Sequence, residues 1–175
     1  AVFEPIPIYK LKLFVEGEGG FQVRVGSDTK TSNGFFKEKY YESTVVEVVA
    51  QPAEGWRFKN WDDHTEKERT VTMDNHITMT AWFEPIPKYT LTVKSGGGGG
   101  FKIGTSSPTT SHEQQYYEGT EVPVKAGASG RWEFIGWEGD VESAERKLIL
   151  KLDRDLEVRA VFGTAIQPVV QGNGR

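Results

Sequence analysis

The chain contains no cysteine, so neither a disulfide framework nor a thiolate metal site is open to it. That alone excludes no compartment: a cytosolic protein fits, and so does a bacterial surface protein that folds without disulfides. No apolar run approaches the roughly 18 residues of a membrane span, so no membrane insertion is expected of this stretch. Basic residues are not in excess either. The 21 Lys and Arg face 25 Asp and Glu, a formal net charge of −4, with the two signs interspersed. This favours solubility and leaves no overall basic footprint for nucleic acid, which is not expected as a partner.

Motifs that carry chemistry are equally scarce. His64, His76 and His112 have no partners at metal-ligand spacing and read as loop or strand-edge residues. Asp62-Asp63, Asp140, Asp153 and Asp155 offer oxygens for calcium, but no Asp-x-Asp-x-Asp-Gly loop frames them, so they read as turn aspartates. Gly96–Gly100 lacks the following Lys-Ser/Thr of a phosphate loop and leads into a strand, which makes it a turn. No nucleophile motif surrounds any serine. No catalytic residue, cofactor or metal is expected, and the fragment is not read as an enzyme.

What the chain does have is repetition. Ala1-Val2-Phe3-Glu4-Pro5-Ile6-Pro7 returns as Ala81-Trp82-Phe83-Glu84-Pro85-Ile86-Pro87, and Ala160-Val161-Phe162 echoes it again. A period of about 80 residues implies tandem modules. Five segments are expected: 1–7 as the end of a preceding repeat and a linker, 8–83 as a first domain, 84–88 as a Pro-rich linker, 89–162 as a second domain and 163–175 as a tail. The opening phrase suggests a slice of a longer array. Units this small bury only roughly 60–65% of their unfolded surface, so a few large side chains must carry each core.

Within the first unit, Tyr9, Leu11, Leu13 and Val15 alternate with polar residues, and Phe21, Val23 and Val25 resume the alternation, which predicts a hairpin from Tyr9 to Val25. Residues 26–39 read as loop, with one helical turn conceivable at Lys37–Tyr41. Thr44–Ala50 is β-branched and reads as a buried strand. Trp56–Trp61 follows as a short strand in which Phe58 and Trp61 have opposite parity, predicting a bulge or a strand end between them. Thr70–Met73 and His76–Phe83 read as a closing hairpin. The second unit replays this order. Tyr116-Tyr117 match Tyr40-Tyr41, and Trp132, Phe134 and Trp137 match Trp56, Phe58 and Trp61. Four residues are missing before the Tyr-Tyr pair and three are added near the charged loop. The fold class is therefore all-β, as two small β-rich repeat domains.

The tyrosine-led first strand, the Tyr-Tyr approach to a valine-rich strand, the run Gly55-Trp56-Arg57-Phe58-Lys59-Asn60-Trp61, and Met73-Asp74 with Ala81-Trp82-Phe83 together resemble the divergent branch of the internalin-type B repeats. These stand in tandem in bacterial cell-surface and secreted proteins. The resemblance covers about 8–83 and 88–162. It implies an extracellular, mainly β repeat without catalytic role. Better-known relatives have a β-grasp fold, so a β-grasp-like topology is the alternative architecture. The second unit departs from the pattern, with Gly127-Ala128-Ser129-Gly130 where the first has Gln51-Pro52-Ala53-Glu54.

Phe58, Trp61, Phe134 and Trp137 recur in both units and read as core. Trp82, Phe14, Phe35 and Phe36 have no aromatic counterparts and are candidates for binding or for contact between repeats. Two functions follow. One is a semi-rigid spacer or stalk whose partners are neighbouring repeats of the same chain. The other is an adhesin-type module for a glycan or protein ligand, which would show a cluster of unshared residues on one surface.

Overall fold

The computed structural model of the protein describes residues 3–62 and 64–164. Ala1, Val2, Asp63 and the tail from residue 165 onward lie outside the described residues, and with them part of the opening phrase, of the Asp62-Asp63 pair and of the expected tail. The chain divides into two compact units between Ile86 and Pro87. Fifteen strands and no helix form among the described residues. The architecture is all-β, and the β-grasp-like alternative, which needs a helix against its sheet, is not adopted.

The first unit contains β1 (Ile8–Glu16), β2 (Gly19–Val25), β3 (Asp28–Ser32), β4 (Phe36–Tyr41), β5 (Val45–Pro52), β6 (Trp56–Trp61), β7 (Glu68–Thr72) and β8 (Ile77–Pro85). They form two four-stranded sheets, ordered β4-β1-β8-β6 and β3-β2-β5-β7. Period-two alternation gives each sheet one apolar face, and the two faces close on each other. Leu11 and Leu13 from β1, Met79, Ala81 and Phe83 from β8 and Trp61 from β6 meet Phe21 and Val23 from β2 and Val46, Val48 and Ala50 from β5. Trp61 is fully buried.

Two expectations of pairing are corrected by this topology. The segment Tyr9–Val25 is not a hairpin: β1 pairs with β4 and β8, while β2 pairs with β3 and β5 in the other sheet. Nor do residues 70–83 form a closing hairpin, because β7 pairs with β5 and β8 with β1 and β6. Alternation assigns a face to each strand but names no partner. Both β1 and β2 face the same core, from opposite sides. The glycines between them allow the crossing. At Gly17 φ is +89°, and a Cβ there would meet the Phe83 carbonyl oxygen at 2.5 Å.

Residues 26–39 are not loop either. They hold all of β3 and the start of β4, and Lys37–Tyr41 is strand rather than helical turn. The strand β3 has only β2 as neighbour and is almost wholly exposed, so its sequence Asp-Thr-Lys-Thr-Ser carries no apolar signal. The bulge expected in the Trp56–Trp61 strand is present. The β6–β8 register slips between Phe58 and Asn60. That slip turns both rings inward, with Phe58 5.7 Å from Trp61 and 5.8 Å from Phe83.

The second unit contains β9 (Lys88–Ser95), β10 (Gly99–Ile103), β11 (Ser111–Tyr117), β12 (Glu121–Ala128), β13 (Trp132–Gly139), β14 (Lys147–Lys151) and β15 (Leu156–Thr164). Its sheets are β11-β9-β15-β13 and β10-β12-β14. The bulge recurs between Phe134 and Gly136, and Phe134 lies 5.6 Å from Trp137 and 5.7 Å from Phe162. The four-residue deletion removes the counterpart of β3, leaving a single bridge from Phe101 to Thr109. In each unit the first and last strands lie side by side and parallel, β1 with β8 and β9 with β15.

Candidate functional site

The outer face of β4-β1-β8-β6 gathers three of the four aromatic side chains that have no aromatic counterpart in the second unit. Since Leu11 and Leu13 point inward, Ile8, Lys10, Lys12, Phe14 and Glu16 point out. The antiparallel register sets Tyr41 opposite Ile8, Lys39 opposite Lys10 and Lys37 opposite Lys12. The next position brings Phe35 to Phe14, with ring centroids 5.1 Å apart and planes at 44°. On the other side, β8 lays Thr80 beside Phe14 and Trp82 beside Glu16.

The indole of Trp82 is 42% exposed yet held in place. Its Nε1 donates to Asp62 Oδ1 at 3.1 Å, and the Thr80 amide donates to Asp62 Oδ2 at 2.8 Å. One carboxylate at the end of β6 thus anchors both the β8 backbone and the ring. Further along, Glu84 accepts from Arg57 Nε at 2.8 Å and lies 3.6 Å from Lys59 Nζ. The hydrogen bond from Arg57 holds the Glu84 carboxyl below its ordinary range, against a smaller opposing effect of desolvation.

Of the four aromatic candidates, Phe14, Phe35 and Trp82 share this face. Phe36 does not. One step along a strand reverses the side chain, so Phe36 turns inward, packs on the core and meets Phe21 edge-on at 6.0 Å. Reading the sequence missed Lys10, Lys12, Lys37 and Lys39. Taken singly they are the polar half of an alternation, and their pairing appears only once β4 is recognised as the partner of β1. Among the described residues none of the four makes an ion pair. At the matching positions the second unit sets Thr90 opposite Gln115 and Thr92 opposite Glu113.

The histidines and aspartates serve the framework. His76 Nδ1 accepts from the Lys10 amide at 2.9 Å, and at the matching place Asp155 Oδ1 accepts from the Thr90 amide at 2.7 Å. Asp140 Oδ2 accepts from the Glu157 amide at 2.7 Å. Trp61 and His64 exchange backbone hydrogen bonds, and His112 Nε2 lies 3.0 Å from the Tyr116 hydroxyl. Among the described residues no three His, Asp or Glu side chains come together as a metal site.

A family model for the divergent InlB B-repeat domain matches residues 23–87 and again 89–165. The chain belongs to the divergent InlB B-repeat family. The second B-repeat match spans the second sandwich, while the first begins within β2 and runs through the rest of the first sandwich. No curated protein matches the chain. Among solved structures, the Bacillus anthracis TIE protein is 12% identical with a TM-score of 0.36, over 88% of this chain and 34% of that one. The Streptococcal ancillary pilin is 12% identical with a TM-score of 0.42, over 88% of this chain and 62% of that one. The major pilin from Streptococcus pyogenes is 9% identical with a TM-score of 0.33, over 91% and 98%. The B-repeat chain thus spans about a third of the first and under two thirds of the second. At these values the structural likenesses carry no argument.

Proposed function

We propose that the B-repeats are non-catalytic, load-bearing spacer modules of a bacterial surface or secreted protein. The observation that carries this reading is the parallel pairing of each unit's first and last strands. In such a pair the chain enters at one end of a unit and leaves at the other. Tension between the two ends then loads the β1–β8 hydrogen bonds in shear, so that many must fail together. In an antiparallel hairpin pulled from its open end, the bonds fail one after another. Resistance to force is governed by the unfolding barrier, and shear places that barrier on a whole strand. The large inward aromatics add to it, because sliding β8 past β1 would pull Phe83 out from Phe58.

Single-molecule force spectroscopy tests the proposal, and the absence of native cysteine makes thiol attachment specific. Pulling on the two ends of the chain should give two unfolding events, each releasing roughly 250 Å of contour length at about 3.6 Å per extended residue. Pulling the first unit through Ile6→Cys and Ser43→Cys instead unzips β1 from β4, since Ile8 pairs with Tyr41. The end-to-end geometry should resist a clearly higher force. Equal forces in the two geometries would remove the mechanical argument for a spacer.

A further inference from the structure

The strip formed by β1 and β4 on the outer face of the first unit has an unusual order. An apolar pair, Ile8 and Tyr41, is followed by two lysine pairs, Lys10 with Lys39 and Lys12 with Lys37, and then by the stacked Phe14 and Phe35. Like charges directly opposite each other destabilise a sheet. Here two such pairs stand in succession, with no carboxylate paired to any of the four among the described residues. The fold does not require them. The second unit builds the same pair of strands with Thr90, Gln115, Thr92 and Glu113, and places Lys94 opposite Ser111 where the first has Phe14 and Phe35. Its Lys94 is paired with Glu157 at 3.1 Å. On this pair of strands the rule is broken twice in one copy and kept in the other. The second unit sets Lys102, Lys125 and Lys147 side by side only on its other sheet. What sets the first unit's lysines apart is that exposed rings flank them, a local departure that points to function.

We propose that this strip of the first unit binds an acidic polysaccharide. The inference is independent of the load-bearing reading. Four ammonium groups in a two-by-two array offer a concentrated positive field on a chain whose net charge is negative, which selects a ligand bearing several anionic groups. The flanking rings select further. Phe14 is 40% exposed, Phe35 57% and Tyr41 61%, and such ring faces pack against the C–H faces of sugar rings while the lysines meet carboxylate or sulfate substituents. From Ile8 to Phe14 the strip is about 20 Å long, which suits an extended polymer. An acidic peptide that adds as a strand would pair with the free edge of β4, nearer Lys37 and Lys39 than Lys10 and Lys12 on the inner strand β1, whereas a polymer lying across the sheet face meets all four. Trp82, held by Asp62 on the neighbouring β8, extends the platform sideways.

The test uses the 175-residue chain and polygalacturonate as probe, with dextran as its neutral counterpart, single-stranded DNA and poly-glutamate as alternative polyanions, and affinity measured by titration at several salt concentrations. Polygalacturonate should bind, more weakly as salt rises, and dextran should not. The fourfold variant Lys10→Thr, Lys12→Thr, Lys37→Glu and Lys39→Gln carries the second unit's own residues, so it is expected to fold. It should lose more than tenfold in affinity and most of the salt dependence. The double variant Phe14→Ser, Phe35→Ser should lose several-fold while keeping the salt dependence. Unchanged binding in the fourfold variant would overturn the proposal. Tighter binding of DNA or poly-glutamate than of polygalacturonate would overturn the choice of a glycan.

Discussion

Trp61 and Trp137 occupy the same place in two copies of one fold, and a single hydrogen bond separates them. Trp137 Nε1 donates to the Glu145 carbonyl at 3.0 Å, from the loop that carries the three extra residues. Trp61 Nε1 is buried with no partner among the described residues. Replacing each by Phe removes the same atoms from closely similar surroundings, with a phenylalanine ring at 5.7 Å in one and 5.6 Å in the other. The packing loss is therefore common to both and cancels in the difference. At residue 137 the substitution also loses a hydrogen bond worth about 0.5–1.5 kcal/mol, the freed carbonyl returning to water on an exposed loop. At residue 61 it removes an unsatisfied donor whose burial costs about 1–3 kcal/mol. Trp137→Phe should then be costlier than Trp61→Phe by about 1.5 kcal/mol or more, over tenfold in an opening equilibrium. Amide hydrogen exchange followed by mass spectrometry reads both units in one sample, through peptides covering β8 and β15. If Trp61→Phe lowers the protection of β8 as much as Trp137→Phe lowers that of β15, the orphaned indole is not a real cost and the reasoning fails.

Two further outcomes are expected. Ser43 sits at φ 64°, where the second unit has Gly119 at φ 81°, and both amides donate to the matching Met73 or Leu152 carbonyl. Ser43→Gly should leave stability unchanged or raise it by up to ~1 kcal/mol, since the left-handed strain relieved slightly exceeds the added chain entropy; a loss in urea denaturation would contradict this. Glu84 has a folded-state pKa held below its unfolded value by Arg57. Its contribution is thus fully present above the ordinary carboxylate range and disappears as pH falls through the depressed value. Urea midpoints of the parent chain and of Glu84→Gln should therefore converge in acid, and at neutral pH the gap should narrow with added salt because the pair is exposed.

Much of this fold was legible before any coordinates. The inward faces of β1 and β8 follow from alternation, the burial of β5 from its β-branched run, and the parity conflict of Phe58 and Trp61 signals the irregularity seen there as a bulge. Strand partners were not legible. A core shared by two sheets rewards any strand that presents an apolar face, so neighbours in sequence such as β1 and β2 look like a hairpin although they stand in opposite sheets. The polar edge strand β3 buries almost nothing and leaves no pattern to find. The lysine strip was hidden for a related reason: each lysine is ordinary on its own strand, and only the β1–β4 register makes the four adjacent. The position of the four-residue deletion could be read, but not that it deletes a strand.

The parallel seating of β1 against β8 also governs how such a unit can be moved about in a genome. Pro85 lies 11 register positions beyond Ile8, a separation of about 35 Å along the strands. Many domains have neighbouring ends and can be spliced into a loop of a host protein or circularly permuted. This one would pry a host loop open, and rejoining its ends would take roughly ten extended residues. Head-to-tail duplication demands neither. A gene that contains one copy is thus free to add another head to tail while other rearrangements are penalised by geometry, and Phe-Glu-Pro-Ile-Pro, present before the first unit at residues 3–7, returns between the two at residues 83–87.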